Sequence, residues 1–110
     1  MGGNIQEFKV IFSLTSRSDL QKAVVYVRAA SRSPQIAERL GTGLVNKALT
    51  LSKMPERGRI VPEIQLEEVR EIIFKSYRII YRVHGQQVEI LRFWHASRGA
   101  PEITVDEFGD

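Results

Sequence analysis

The chain has 110 residues, 43% of them hydrophobic and 26% charged, with no cysteine and with sixteen Lys and Arg against thirteen Asp and Glu. That size suits one domain with one modest core, and the composition excludes a disordered chain. The absence of cysteine excludes disulfide frameworks, thiolate zinc sites and cysteine nucleophiles, and it fits a reducing cytoplasm.

No apolar run reaches the roughly 20 residues of a membrane helix, so no membrane partner is expected. The opening MGGNIQEF lacks the basic and apolar regions of a secretory leader, and Met1 to Asn4 read as a short lead outside the fold. The charge is unevenly spread. Residues 99–110 hold Glu102, Asp106, Glu107 and Asp110 and no Lys or Arg, so the first 98 residues carry sixteen bases against nine acids. A basic body with an acidic tail points to a polyanionic or acidic partner. The expected division is a single domain over residues 1–98 and an acidic tail over 99–110.

In chain order, Phe8 to Leu14 alternates Phe8, Val10, Phe12 and Leu14 against Lys9, Ile11 and Ser13, which predicts a strand with one apolar face. Thr15 or Ser16 then caps a helix, and Asp19 suits its positive end. Leu20, Ala23, Val24, Val27 and Ala30 recur at three and four and form its buried stripe. Ser33-Pro34 starts a second helix, with Ile36, Ala37, Leu40, Leu44, Ala48 and Leu51 on one face. Gly41 and Gly43 cost it up to ~1 kcal/mol each unless a neighbour needs them small. The short link predicts an antiparallel helical hairpin. MPERGRIVPEIQLEE reads as a loop or short edge segment. Three strands follow: VREIIFK, YRIIYRV and VEILRFW.

The predicted fold is α+β, in the order β-α-α-β-β-β. An antiparallel sheet of about four strands carries the helical hairpin on one face and leaves the other open. A two-residue turn at Gly85-Gln86 sets the last hairpin. It places Val83 opposite Val88, Arg82 opposite Glu89, Tyr81 opposite Ile90 and Arg78 opposite Phe93. Alternation then puts Tyr77, Ile79, Tyr81, Val83, Val88, Ile90 and Trp94 on the core face, with Arg92 as the exception. Arg78, Ile80, Arg82, Glu89, Leu91, Phe93 and His95 fall on the open face, where Arg78 and His95 become neighbours. Arg82 and Glu89 need no function, since opposed charges on neighbouring strands contribute roughly 0.2–1 kcal/mol. For Arg78 two readings stand: an anion-binding group, or a structural ion pair with a loop carboxylate such as Glu63. His84 and His95 lie at opposite ends of the hairpin, so no metal site is expected, and nothing calls for a cofactor.

FKVIFS, SDLQKAVVYV, SPQIAERL, LSKMPERGRIVPEI, VREIIFKSYRIIYRV and VEILRFWHASR, in this order and spacing, resemble the RelE/ParE toxins of bacterial type II toxin–antitoxin systems, also called plasmid stabilisation proteins. The resemblance covers Phe8 to Arg98. It implies a cytoplasmic, growth-arresting toxin neutralised by a cognate acidic antitoxin, with which it can form a hetero-oligomer. One branch of the family poisons DNA gyrase; the other cleaves messenger RNA on the ribosome, without a metal. On the nuclease branch the resemblance makes Arg78 the phosphate-binding arginine, His95 the general acid and Glu63 the base. Arg59, Arg70, Arg82 and Arg98 would add nucleic-acid or target contacts. Ala96 follows His95 here and no tyrosine comes after it, unlike the His-Tyr or late-tyrosine endings of nuclease members. PERGRIVPE, VRE and YRIIYRV lie closer to the ParE branch, so gyrase poisoning is the leading expectation. An endoribonuclease, or a non-toxic basic module that binds nucleic acid or protein, are the alternatives. Arg17, Lys22, Arg28, Arg32 and Arg39 on the helices offer a surface to an acidic antitoxin segment.

Overall fold

The computed structural model describes residues 7–103. The lead Met1 to Asn4 and the acidic tail beyond Ile103 therefore lie outside the described residues. Five strands and two helices follow one another as β1 (Lys9–Phe12), α1 (Leu14–Ser31), α2 (Pro34–Leu49), β2 (Arg59–Ile60), β3 (Val69–Phe74), β4 (Tyr77–His84) and β5 (Gln87–His95). The sheet order is β1-β5-β4-β3-β2. The α+β class and the order of the main elements are as expected. The fifth strand, β2, arises in the stretch read as a loop or short edge, where Arg59 and Ile60 pair with Glu71 and Arg70. The sheet is also not wholly antiparallel, because β1 runs parallel to β5. A helical crossover separates β1 from the later strands, so no tight turn fixes its direction.

Helix α1 starts earlier than the Thr15 or Ser16 cap predicts. Ser13 Oγ accepts from the Ser16 amide at 3.0 Å and is the cap. Ser33 caps α2 with Pro34 in its first turn, as the Ser-Pro pair signals. The glycines of α2 permit close packing. A Cβ on Gly41 would meet Val24 at 2.9 Å, and one on Gly43 would press into the Phe74 ring. The larger core cluster lies between helices and sheet, built on Leu40, Leu44, Leu51, Ile79, Tyr81, Val88, Ile90 and Phe93.

The β4–β5 register departs from the sequence reading halfway along. Val83, Arg82 and Tyr81 face Val88, Glu89 and Ile90 as predicted, but Ile80 then faces Arg92. Leu91 is therefore the extra residue of a β-bulge. From there on β5 is shifted by one, so Arg78 faces Trp94, not Phe93, and Tyr77 faces His95. A shift of one exchanges the faces. Phe93 joins the helix-side core and Trp94 moves to the opposite side, the reverse of the uniform alternation.

That opposite side is not open. Val61, Val69, Ile80, Leu91 and Trp94 form a second buried cluster, with Ile64 and Ile103 packed on it. Strands β3, β4 and β5 contribute apolar groups to both faces, so both need cover. The turn after β2 covers one part and the segment Pro101–Ile103 another.

Candidate functional site

The second face holds an ion-pair chain. Strand β3 sets Glu71 opposite Ile80, and β4 sets Arg78 two residues earlier on the same face. Arg78 Nε donates to Glu71 Oε1 at 2.6 Å, and Arg59 Nε donates to the other carboxylate oxygen at 2.5 Å. The Glu71 side chain is fully buried, and among the described residues these two arginines meet its two oxygens. Beyond Arg78 the turn after β2 brings in Glu63. Its carboxylate takes both terminal nitrogens, Nη1 at 3.1 Å and Nη2 at 2.8 Å. This is the two-pronged fit of a planar guanidinium to a carboxylate. The hydrogen bond from Arg78 holds Glu63 below the usual 4.5 of a glutamate, against the opposing effect of burial. The same bond raises Arg78, again against burial, with Glu71 adding to the rise. Two arginines and two glutamates leave the chain balanced.

Chemically, this arrangement binds itself. A carboxylate held low by an arginine is a weak proton acceptor at neutral pH. The fork that would grip a phosphate is filled by Glu63. Of the two readings of Arg78, the structure displays the ion pair.

His95 stands elsewhere. The Leu91 bulge turns it to the helix side, where its ring meets Tyr77 edge-on at 5.0 Å. Its Nδ1 accepts from the Ser97 amide at 3.2 Å and lies 2.7 Å from Ser97 Oγ. The expectation that Arg78 and His95 share a face is thus overturned by one inserted residue. Arg78 and Glu63 come together; His95 is across the sheet from both.

The remaining predicted cations do not form one patch. Arg59 is well exposed, at 63% of its side chain, while tied to Glu71. Arg70 donates to the Gly58 and Glu56 carbonyls and lies in a hollow with Glu56, Glu67 and Glu68. Arg82 faces Glu89 across the strands and approaches His84 Nδ1 at 3.3 Å. Arg98 lies over Trp94, its guanidinium carbon 3.9 Å from the ring centre.

Two groups escaped the sequence reading. Glu71 is the hub of the ion-pair chain; its signal was a lone acid alternating with Val69 in a buried strand. Asp19, read as a dipole partner, is instead buried against β5. It accepts from Arg92 Nε at 2.8 Å and Nη2 at 2.9 Å, and from the Phe93 amide at 3.1 Å. The misfit of Arg92 on an apolar face was the clue to this clamp. Among the described residues no group of three or more His, Cys, Asp and Glu is placed to hold a metal, and no helix is long and apolar enough to cross a membrane.

The comparisons with known proteins agree with this architecture. Residues 10–99 match the family model described as the ParE toxin of the type II toxin–antitoxin system parDE. A protein named Toxin RelE1 from Caulobacter vibrioides is 32% identical over 88 residues, which is 80% of this chain and 92% of that protein. Among solved structures, the chromosomal ParDE toxin–antitoxin system of P. aeruginosa superimposes with a TM-score of 0.70 at 17% identity, covering 82% of this chain and 97% of that one. The toxin–antitoxin complex RelBE2 of Mycobacterium tuberculosis gives 0.59 at 26% identity, over 86% and 97%. The first of these speaks for the fold alone. With the family model spanning most of the chain, and a relative so named along nearly its whole length, this chain belongs to the RelE/ParE family of toxins of type II toxin–antitoxin systems.

Proposed function

We propose that this toxin arrests growth by binding, not by cutting: it poisons DNA gyrase in the cytoplasm and is held inactive by a cognate acidic antitoxin in a hetero-oligomer. What supports this reading is the separation of the nuclease candidates. Glu63 and Arg78 close on each other on one face of the sheet, while His95 lies on the other with Tyr77. Acid–base cleavage needs base, phosphate clamp and acid around one phosphodiester. A binding poison needs none of these and can use cations that are exposed, as Arg59 and Arg98 are, or half-buried, as Arg70 and Arg82 are. Arg59, Arg70, Arg82 and Arg98 are the proposed target contacts. Arg59 comes first, because its side chain is 63% exposed and anchored by Glu71.

The test is induced expression without antitoxin. Growth should stop and recover when the antitoxin is supplied; the DNA-damage response should rise; purified gyrase with the purified toxin should accumulate cleaved DNA. New codon-phased ends in translated transcripts, abolished by Arg78→Ala, would replace gyrase with the ribosome and messenger RNA as the target. Unimpaired growth at verified high expression would remove both toxic activities.

A further inference from the structure

Between α1, the start of α2 and the neighbouring ends of β4 and β5 runs a trough of two bays, about 340 and 280 Å³, with Tyr26, Tyr77 and His95 as their shared wall. Lys22 and Arg98 line the first bay, and Arg39 and Lys75 the second. Asp19 is the lone carboxylate among the lining residues, and Arg92 already closes it. Tyr26 is 70% exposed and Ile36, in the second bay, 48%. Four cations around exposed apolar side chains make a site for a short segment that mixes carboxylates with an aromatic residue.

This chain carries such a segment. Residues 104–110, TVDEFGD, set Asp106, Glu107 and Asp110 around Phe108 and contain no cation. The described chain ends with Ile103 on the second face, but one residue earlier it is tied to the edge of the trough. The Glu102 carbonyl accepts from Arg92 Nη1 at 2.6 Å, and the other guanidinium nitrogens of Arg92 hold Asp19 in the trough wall. Seven extended residues reach up to roughly 24 Å, a span that leads round the sheet edge toward the first bay, where Asp19 and Arg92 meet. Tethering raises the local concentration of such a segment to the millimolar range, so a contact too weak to persist between separate molecules is populated within one.

We propose that the Tyr26–Tyr77–His95 trough takes the chain's own acidic stretch 104–110, and that this occupancy competes with acidic segments of protein partners for the same four cations. The trough lies across the sheet from the Glu63–Arg78 pair and shares Arg98 alone with the proposed target contacts; coupling yields and ring resonances read its occupancy whatever the toxin's target.

Zero-length carbodiimide coupling of the purified full chain, read by mass spectrometry, tests it without any activity assay. The expected result is an amide link from Lys22 or Lys75 to Asp106, Glu107 or Asp110, unchanged in yield on tenfold dilution and severalfold lower in 0.5 M salt. Phe108→Ala should also lower the yield severalfold and shift the Tyr26 and Tyr77 ring resonances. The proposal is overturned if those three carboxylates couple only to an added amine or to lysines outside the trough, or if Phe108→Ala leaves the tyrosine resonances in place. Links from Lys22 and Lys75 to a co-purified antitoxin, with none to the chain's own carboxylates, would overturn it too and give the trough to the partner.

Discussion

Glu71 has no exposed surface, and a buried carboxylate is tolerable only when its charge is met. Arg78 and Arg59 meet it, and Glu63 then meets the outer edge of Arg78. The partners are therefore unequal in energetic weight. Arg78→Ala leaves the buried Glu71 with Arg59 alone, a guanidinium that is 63% exposed, and should cost about 3–5 kcal/mol, seen as a large fall in the urea midpoint with little change in slope. Glu63→Gln removes a partner that is 35% exposed and should cost much less. Equal losses from the two substitutions would mean that Glu63, not Glu71, holds the arginine. The acid limb of stability gives a second measure. Glu63 lies below its ordinary 4.5 in the folded chain. Its contribution is therefore complete above pH 4.5 and is lost as pH falls through the lower folded value. The gap in melting temperature between the parent and Glu63→Gln should be flat above about pH 5.5 and shrink as the pH drops through and below 4.5. A gap that widens on acidification would contradict the assignment.

At the level of elements, the decisive feature is the single unpaired residue in β5. Up to Ile90 the strand obeys strict alternation, so the turn, the pairs from Val83–Val88 to Tyr81–Ile90 and the helix-side positions as far as Ile90 were readable from the sequence. Past Leu91 they were not. A bulge leaves no compositional mark when both faces are apolar, as with Ile80, Leu91 and Trp94 on one side and Ile79, Ile90 and Phe93 on the other. The site was legible only as far as the register was: an Arg78–Glu63 ion pair was one of two readings the sequence left open, while His95 was assigned to the wrong face. The bulge has a structural counterpart where β1 ends. There Ser13 donates its amide to Ile90 and its hydroxyl to Leu91, and Asp19 accepts from the Phe93 amide, so α1 continues the hydrogen bonding that β1 leaves off. Asp19→Ala should therefore both loosen α1 from the sheet and leave Arg92 without its carboxylate, at about 3–5 kcal/mol. Amide exchange at Phe93 should accelerate with it; an unchanged Phe93 rate would mean that the helix is held by its apolar stripe alone. Gly58 makes a similar point on the other edge. Its φ is an ordinary −74°, so conformational freedom is not the reason for a glycine. A Cβ there would lie 2.6 Å from the Glu71 carbonyl oxygen and against the Tyr81 hydroxyl, which itself bonds the Gly58 amide. Gly58→Ala should cost roughly 1–3 kcal/mol or more by pushing β2 from β3.

For the molecule as a whole, two clusters on opposite faces of one sheet raise the question of whether they melt together. They draw on alternate residues of the same strands. Ile79 and Tyr81 serve one cluster and Ile80 the other; Ile90 and Phe93 serve one and Leu91 and Trp94 the other. Removing either cluster exposes one side of β4 and β5, the two central strands of the longest pairing in the sheet. The thin cover over the second face adds to the coupling. Trp94 Nε1 donates to the Gly99 carbonyl at 3.0 Å and Arg92 to that of Glu102, so the covering segment is tied to β5 itself. Cooperative, two-state unfolding follows from this sharing. The chain has one tryptophan, and it lies in the second cluster, so its fluorescence reports that cluster. Far-UV dichroism is dominated by α1 and α2, which cover the first. Urea transitions followed by the two signals should have coincident midpoints and slopes. An earlier fluorescence transition would show that the second face opens while the helical face stays folded. The cover over Trp94 would then be a separate, weaker unit of the fold.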